Sequence, residues 1–394
     1  MKVNIDRNKE VNICDHFELC GGCTSLDVPY EEQISIKTEK VKHYFKELGI
    51  KDFPLSQVIK SPQIYEYRNN MELSFGDLEI EGELQLGMHL RGKQYDVVTI
   101  DGCYLIDSDF RRIIETILNY FRNTDLKKYH VKLKEGYLRH LKIRKGLNTG
   151  EILVNLITTS QKIPDLSDLV ELLKNIDYKG KLVGFLHTTN DDYADAVKIG
   201  ELKTYYGRDY FYEKLLDFKF KINSLSFFQV NTKAAEKLYK AVIDHFKDDQ
   251  KKEIYDLYSG TGSLSQIISP HVKKVTGIEI DESAVNRARE NMKINNIDNC
   301  EFIQGDVRKV LEKEKKNVEK IIVDPPRPGL HSEVITSIVE ISPEEIVYVS
   351  CNPKTQARDI QKIMYNGYHI VDVKLVDMFP HTSHIESVAL IAKN

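Results

Sequence analysis

The C-terminal part of the chain alternates short apolar runs with helix-length polar stretches, and this pattern restricts the fold more than any other feature. From about Glu253, five runs indicate buried strands: EIYDLYSG, VKKVTGIEID, CEFIQGD, KIIVDPP and EEIVYVSC. A helix-length segment follows each run, which is typical of a parallel sheet covered by helices. The last two runs, YHIVDVKLVDMFP and ESVALIAK, have no such segment between them. We therefore predict a seven-stranded α/β domain over residues 216–394, with an antiparallel final hairpin.

Residues 1–215 follow a different pattern. A charged amphipathic helix, EEQISIKTEKVKHYFKELG, precedes strand-like runs separated by glycine turns, such as MELSFGDLEIEGELQLGMHLRG. These features predict an α+β domain with antiparallel strands. With 394 residues and 41% apolar content, the chain is long enough to bury two hydrophobic cores. We expect the boundary between the two domains near residue 215.

The segment DLYSGTGSLS joins the first predicted C-terminal strand to its helix through a glycine-rich turn. Gly260 and Gly262 allow a ligand to approach the backbone closely and the chain to turn into the helix. Glu279 ends the next strand about twenty residues on, where a carboxylate accepts hydrogen bonds from ribose hydroxyls. NAD fits this geometry too, but Ser-Leu-Ser after the second glycine departs from G-x-G-x-x-G and favours S-adenosylmethionine (SAM). Asp306 lies at the end of the third strand. We expect it either to contact the adenine of the ligand or to cap the following helix.

Two further strand ends carry reactive side chains. Asp324 opens DPPRPG and Cys351 follows IVYVS, and ligands of doubly wound sheets bind outside the carboxyl ends of parallel strands. Methyltransferases that act on exocyclic amines have a related Asn/Asp-Pro-Pro-aromatic motif, but here Arg327 replaces the aromatic residue. This replacement and the added thiol weigh against an amino-methyltransferase, the nearest enzymatic alternative.

A strand-end thiol suits methylation of a ring carbon. Carbon 5 of uracil becomes nucleophilic when a thiolate adds to carbon 6, and a base must afterwards remove the carbon 5 proton. Cys351 is the candidate nucleophile, although an inert buried thiol is the alternative. The C-terminal segment HTSHIESVALI offers three candidate bases: Glu386, His381 and His384.

Together these segments resemble the RNA uracil-5-methyltransferase family, whose members modify bacterial 23S ribosomal RNA and tRNA. The resemblance extends over nearly the whole chain, through CGGC, RHLKIR, SFFQVN, DLYSGTGSLS, DPPRPG, SCNP and HIESVALI. It implies that Cys351 is the nucleophile and that Glu386 is the base. It also implies SAM contacts by six residues: Gln229, Tyr258, Ser263, Glu279, Asp306 and Asp324.

The chain contains six cysteines and no secretion signal, so metal or catalytic roles are favoured over disulfides. The family resemblance implies a [4Fe–4S] cluster with a structural or RNA-binding role on four of them: Cys14, Cys20, Cys23 and Cys103. Their spacing alone suits structural zinc equally well. Radical SAM chemistry is disfavoured, because that class uses a Cys-x3-Cys-x2-Cys loop with three protein ligands. Cys300 is assigned to packing.

The net charge of −4 requires any RNA contact to come from a local basic patch. Residues 127–145 are rich in lysine and arginine, and in RHLKIR the side chains of His140, Lys142 and Arg144 share one strand face. We interpret this face as a phosphate-tracking surface or as a merely solvated one. Only thirteen residues precede Cys14, so we expect this member to lack the RNA-binding barrel that larger members carry there.

The expected substrate is 23S rRNA first and tRNA second, and no obligate protein partner is inferred. The opening MKVNIDRNKEVN has no apolar core of a signal peptide, and no stretch approaches the roughly 18 apolar residues of a membrane span. We therefore expect a cytoplasmic protein without a membrane partner. A different class of protein, a metal-stabilised RNA-binding protein with a vestigial catalytic fold, would lack the nucleophile or the base, and both are present.

Overall fold

The computed structural model describes residues 13–50, 53–79, 82–93, 95–162, 164–192, 200–314 and 318–394. The helices in these ranges are α1 (Tyr30–Glu47), α2 (Ser108–Arg122), α3 (Ser167–Lys174), α4 (Thr232–Ile243), α5 (Ser263–Ile268), α6 (Glu282–Ile294), α7 (Val307–Glu314), α8 (Ser332–Ile341) and α9 (Pro353–Met364). None of these helices has the length and apolar character needed to cross a membrane.

The strands fall into three sheets. In chain order they are β1 (Leu55–Ile59), β2 (Asn70–Gly76), β3 (Gln85–His89), β4 (Val97–Thr99), β5 (Leu138–Lys145), β6 (Glu151–Thr158), β7 (Lys181–Thr189), β8 (Leu202–Gly207), β9 (Tyr210–Leu215), β10 (Phe218–Asn223), β11 (Glu253–Leu257), β12 (Lys274–Glu279), β13 (Cys300–Gln304), β14 (Lys320–Val323), β15 (Glu345–Ser350), β16 (Tyr368–Val376) and β17 (Glu386–Lys393).

The C-terminal sheet has the order β1-β16-β17-β15-β14-β11-β12-β13. Strands β11 to β15 are mutually parallel where they pair, and β17 is antiparallel to both β15 and β16. The predicted seven-stranded α/β fold with an antiparallel final hairpin is thereby confirmed. The strand order reverses between β11 and β14, and ligands of such sheets bind at this point.

The sheet contains one strand that the sequence pattern did not predict. Strand β1 pairs in parallel with β16, so the N-terminal part of the chain supplies an eighth strand at the sheet edge. Helix α1 joins it there, since Val41 and Phe45 pack in the same core as Leu257 and Ile346. A short strand whose partner lies near the other end of the chain leaves no local signal.

The second large sheet has the order β4-β3-β2-β5-β6-β7-β8 and is antiparallel except for the β6–β7 pair. Helices α2 and α3 contribute to its core through residues such as Phe110, Ile114 and Leu169. This is the expected α+β architecture. The β9–β10 hairpin, which spans residue 215, follows that sheet in the chain. The division into residues 1–215 and 216–394 stays a prediction.

Candidate active site

Cys351 and Glu386 lie at the same edge of the C-terminal sheet. Cys351 directly follows β15, and Glu386 is the first residue of the neighbouring strand β17. Because these strands are antiparallel and Ser350 is paired with Ser387, the next position along each strand brings the thiol and the carboxyl side by side. Glu386 is only 4% exposed, whereas Cys351 is partly exposed. A buried carboxyl therefore adjoins a thiol that solvent reaches.

Four side chains at this edge act on one another electrostatically. Burial raises the pKa of Glu386 to about 8; the charge of Asp324 adds to this rise and Arg327 opposes it. Burial also raises the pKa of Cys351, with further increases from Glu386 and Asp324 and an opposing effect of Arg327. A carboxyl whose pKa lies near neutrality is suited to exchange protons at physiological pH. The arrangement therefore places a thiol beside a carboxyl that can exchange protons near neutral pH.

A second buried carboxyl, Asp256, was not singled out in the sequence. It lies on β11, accepts a hydrogen bond from the Ser265 hydroxyl, and has its pKa raised to about 7 by burial. Burial raises the pKa of Asp324 to about 7, and the charge of Asp256 adds to this rise. The signal for Asp256 was present, because an aspartate interrupts the apolar strand EIYDL. Its hydrogen bond holds the start of α5 against β11.

The glycine-rich turn after β11 is fixed by backbone hydrogen bonds. The N–H groups of Tyr258 and Ser259 donate to the Ile278 carbonyl at 3.0 and 3.1 Å. Gly262, with φ +72°, directly precedes α5, and a Cβ there would lie 2.5 Å from Cζ of Phe302. Gly260 differs: its φ is +54°, and a Cβ there would meet nothing within 4 Å. Gly262 therefore permits close packing against Phe302, whereas Gly260 borders open space.

Glu279 links this turn to the end of β12. One of its carboxylate oxygens accepts a hydrogen bond from the Gly260 N–H at 3.0 Å, and the other accepts from the Asp281 N–H at 2.9 Å. Carboxylate oxygens accept more than one hydrogen bond, so both retain capacity for a ligand hydroxyl. Ser263 opens α5, and its hydroxyl lies 3.3 Å from the Tyr239 hydroxyl.

Asp306 makes the contacts of a helix cap. Its carboxylate accepts from the backbone N–H of Arg308 at 2.9 Å and from the Arg308 guanidinium at 2.6 Å. The hydrogen bond from Arg308 holds the pKa of Asp306 well below its usual range. Of the two roles expected for Asp306, capping α7 is therefore the one that these contacts describe.

Gln229 lies in the segment that leads into α4 and is partly exposed. Its carbonyl accepts a hydrogen bond from the Asn69 side chain at 2.8 Å. The helix cap is instead Asn231, whose side chain accepts from the Ala234 N–H at 3.0 Å. The side chain of Gln229 is therefore not used for capping.

His381 and His384 were alternative bases. The His381 N–H donates to the Gln33 side chain at 2.8 Å, and burial lowers the pKa of its imidazole to about 4. Burial also lowers the pKa of the His384 imidazole. Among charged groups, Glu386 has the largest effect on the pKa of the Cys351 thiol. The strand pairing and this charge effect together show that Glu386 is the candidate base near Cys351.

The four cysteines of the predicted cluster are close enough to influence one another. Burial raises the pKa of Cys23 to about 12, with further contributions from Cys103, Cys20 and Cys14. Nevertheless, across the part of the chain that the structure describes, no group of three or more His, Cys, Asp or Glu side chains is arranged to hold a metal ion. The structure thus brings the thiols together without showing a metal site. Cys300 is buried in the core.

The predicted basic face at residues 127–145 is wrong for most of strand β5. On the predicted face, His140 and Arg144 are 4% and 1% exposed, whereas Lys142 is partly exposed and pairs with Glu72. The neighbouring basic residues Arg139 and Lys145 are 2% and 6% exposed. Lys145 forms ion pairs with Asp107 and Asp109, and Arg144 donates to the Asn223 carbonyl at 3.0 Å. The reason is the position of β5, which pairs with β2 on one side and β6 on the other and is covered on both faces. These charges stabilise the domain and are not available to phosphates.

Other residues of the same segment border a cavity of about 210 Å³. The cavity is lined in part by Lys128, Tyr129, Lys132 and Tyr95. The Lys132 ammonium lies 5.7 Å from the Tyr95 ring centroid. Basic groups next to aromatic rings are typical of surfaces that bind single-stranded nucleic acid.

Known proteins are similar to this chain over most of its length. The model of the tRNA (uracil-5-)-methyltransferase family matches residues 29–394. A protein of Clostridium tetani named uncharacterized RNA methyltransferase is 49% identical over 95% of this chain and 82% of its own. A similarly named protein of Clostridium acetobutylicum is 47% identical, over 96% and 83%.

The solved structures include a similar protein. The tRNA (uracil-54, C5)-methyltransferase of Pyrococcus abyssi, in complex with S-adenosyl-L-homocysteine, is 31% identical with a TM-score of 0.78. The match covers 95% of this chain and 86% of that one. The chain therefore belongs to the tRNA (uracil-5-)-methyltransferase family and is a SAM-dependent RNA (uracil-5-)-methyltransferase.

Proposed function

We propose that this enzyme methylates carbon 5 of a uridine in structured RNA through a covalent bond between the Cys351 sulfur and carbon 6 of the ring. The observation that carries the proposal is the adjacency of Cys351 and Glu386 on paired strands, with Asp324 within electrostatic range of both. Because a stacked base cannot present carbon 6 to a thiol, the uridine is extruded from its stack into the site.

The reaction divides into addition, transfer and elimination. The partly exposed Cys351 thiol loses its proton to solvent, and its sulfur bonds to carbon 6, which moves the electrons of the carbon 5–carbon 6 double bond into an enolate. SAM supplies an electrophilic methyl group, and carbon 5 bonds to that group as S-adenosylhomocysteine leaves. Glu386, as the carboxylate, then takes the proton from carbon 5. The carbon 5–carbon 6 double bond forms again, and the bond from carbon 6 to sulfur breaks.

The turn after β11 is the proposed binding site for SAM. Gly260 leaves open space beside the backbone, and Glu279 retains hydrogen-bonding capacity for ribose hydroxyls. We assign further SAM contacts to the remaining candidates: Gln229, Tyr258, Gly262, Ser263, Asp306 and Asp324. Residues 216–394 then form the catalytic domain, and residues 1–215 grip the RNA, with the cavity beside Tyr129 and Lys132 contributing.

The proposed target is 23S rRNA, and tRNA is the second candidate. The second candidate is supported by the printed name of the Pyrococcus abyssi enzyme and by the description of the family. Mapping 5-methyluridine in total RNA from cells with and without the gene separates the two targets. Loss of the modification from tRNA alone would refute the first.

We further propose that Cys14, Cys20, Cys23 and Cys103 hold a [4Fe–4S] cluster with a structural or RNA-binding role. The mutual influence of the four thiols supports this proposal, because four cysteinates are the usual ligand set of such a cluster. The cluster supplies no step of methyl transfer. Iron and sulfide analysis of anaerobically purified protein tests the assignment, and stoichiometric zinc would refute it.

The covalent route is tested at Cys351. Cys351→Ala should abolish methyl transfer to RNA and leave SAM affinity nearly unchanged, because the thiol forms the bond to the ring. Cys300→Ala is the matched control: it removes a thiol from the core outside the site and should retain methyl transfer. Turnover by Cys351→Ala would rule out the covalent route.

The role of Glu386 is tested by trapping. In Glu386→Gln the amide cannot take the carbon 5 proton, so an RNA–protein adduct should accumulate as a slowly migrating species on denaturing gels. If no such species forms while Cys351 is intact, Glu386 is not the base.

A further inference from the structure

The segment between β16 and β17, residues 377–385, ends directly at Glu386 and is held by helix α1. We call it the base loop. Its partners come mainly from the N-terminal part of the chain, more than 300 positions away in sequence. The loop that leads into the strand of the proposed base is thus held by contacts that lie outside the C-terminal sheet.

Gln33 of α1 is 2% exposed and uses both ends of its side-chain amide. Its oxygen accepts from the His381 backbone N–H at 2.8 Å, and its nitrogen lies 3.1 Å from Nδ1 of the His381 ring. The same nitrogen donates to the carbonyls of Ser25 and Val28 at 2.9 and 2.8 Å. A buried amide with this many partners fixes both the backbone and the ring of His381.

Lys37 lies one helical turn after Gln33 and is 3% exposed. Its ammonium donates to the Asp377 carboxylate at 2.7 Å and to the Phe379 carbonyl at 3.0 Å. Asp377 is fully buried. We call Gln33 and Lys37 together the α1 clamp. They hold the first half of the base loop at three residues: Asp377, Phe379 and His381.

Other N-terminal groups support the same loop. The backbone N–H groups of Thr24 and Ser25 donate to the His381 carbonyl at 2.9 and 3.1 Å. The fully buried Tyr67 donates its hydroxyl to the Pro380 carbonyl at 3.0 Å. The segment that follows Cys23 is therefore joined directly to the base loop.

We infer that Gln33 and Lys37 are positioning residues that place the Glu386 carboxyl for removal of the carbon 5 proton, and this inference rests on the proposed function. The clamp holds the side of the site that carries the base. Glu386 is itself paired with Val376 of β16, so the clamp acts on it through the base loop. Cys351 follows β15 on the other side of the site, where Asn352 donates its N–H to the Ser350 hydroxyl at 3.0 Å. Loosening the clamp should therefore slow elimination and leave addition intact.

The experiment follows the covalent adduct over time with a uridine-containing RNA substrate. In Gln33→Leu the adduct should form within about twofold of the wild-type rate but decay about tenfold or more slowly, because displacements of about 1 Å cost up to about 100-fold in rate. SAM affinity should stay within about twofold of the wild-type value, because the clamp holds only the side of the site that carries the base. Lys42→Met, on an exposed part of α1, is the matched control and should behave as wild type.

A second variant covers the case in which Gln33→Leu fails to fold. Lys37→Met combined with Asp377→Leu removes the ion pair without leaving a buried charge, an exchange that proteins often tolerate. It should also show slow adduct decay with normal adduct formation. If neither variant folds, the contacts serve stability, and the inference is overturned.

Two further outcomes would overturn the inference. Adduct decay at the wild-type rate would show that the clamp does not position the base. An equal fall in SAM affinity, adduct formation and adduct decay would show a merely structural role. Glu386→Gln provides the reference. If this variant traps no adduct, the proposed function fails. If it traps an adduct and the clamp variants do not, only the present inference fails.

Discussion

The ionisation of Glu386 should make the folded protein less stable as the pH rises. The pKa of this carboxyl is 4.5 when unperturbed, and burial raises it to about 8 in the folded protein. Between these values the folded state holds a proton that the unfolded state releases. The stability that the protonated carboxyl contributes is thus fully present below about pH 4.5 and is lost as the pH rises through about 8.

The size of this effect follows from the shift. A change from 4.5 to about 8 is about 3.5 pKa units, and each unit corresponds to about 1.4 kcal/mol. The ionised carboxylate therefore costs the folded protein about 5 kcal/mol at the upper end, and about 3 kcal/mol if the pKa is one unit lower. In Glu386→Gln the amide does not ionise, so this cost is absent.

Urea unfolding of wild type and Glu386→Gln at pH 5 and pH 8.5, without SAM, measures the effect. Any fixed cost of placing an amide in the site is the same at both pH values and cancels in the comparison. Because wild type has already lost part of this stability at pH 5, the variant should gain about 2.5 to 4 kcal/mol relative to wild type on going to pH 8.5. Glu340→Gln, at an exposed position of α8, should show no comparable change. An equal stability difference at both pH values would refute the assigned burial of Glu386.

The remaining predictions concern the glycine turn and the basic segment of residues 127–145. Gly262→Ala should lower the free energy of unfolding by about 1 to 3 kcal/mol, because the new Cβ meets the Phe302 ring and the backbone there is left-handed. Gly260→Ala should lower the free energy of unfolding by less. Its main effect should be a lower SAM affinity, which calorimetry measures. Lys145→Met should destabilise the protein by about 3 to 5 kcal/mol in urea unfolding, because it leaves buried carboxylates unpaired. Lys132→Ala should instead reduce RNA affinity and its salt dependence without loss of stability.

The sequence predicted the catalytic sheet well because its signals are local. Each of the strands β11 to β15 is an apolar run followed by a helix, and Cys351 and Asp324 immediately follow two of these runs. The neighbourhood of Cys351 and Glu386 follows from the antiparallel pairing of β15 with β17. These features depend on residues within one or two elements of each other.

The remaining features depend on which parts of the fold pack against each face of a strand or helix. Alternation in RHLKIR identified the face that carries Arg144, but it did not reveal that the acceptor of that guanidinium is the Asn223 carbonyl. Likewise, no pattern around Gln33 indicated a partner at His381, near the opposite end of the chain. Periodicity describes a strand or helix by itself, and only the folded structure supplies its neighbours.

The pairing of β1 with β16 also has a consequence for biosynthesis. Leu55 leaves the ribosome long before its partner Val373, so the outer edge of the catalytic sheet stays open until synthesis is nearly complete. A fragment that begins at residue 216 would carry β16 with that edge unpaired, and an unpaired strand edge is a template for aggregation. The N-terminal segment therefore completes the sheet, and its removal should expose an edge that favours self-association.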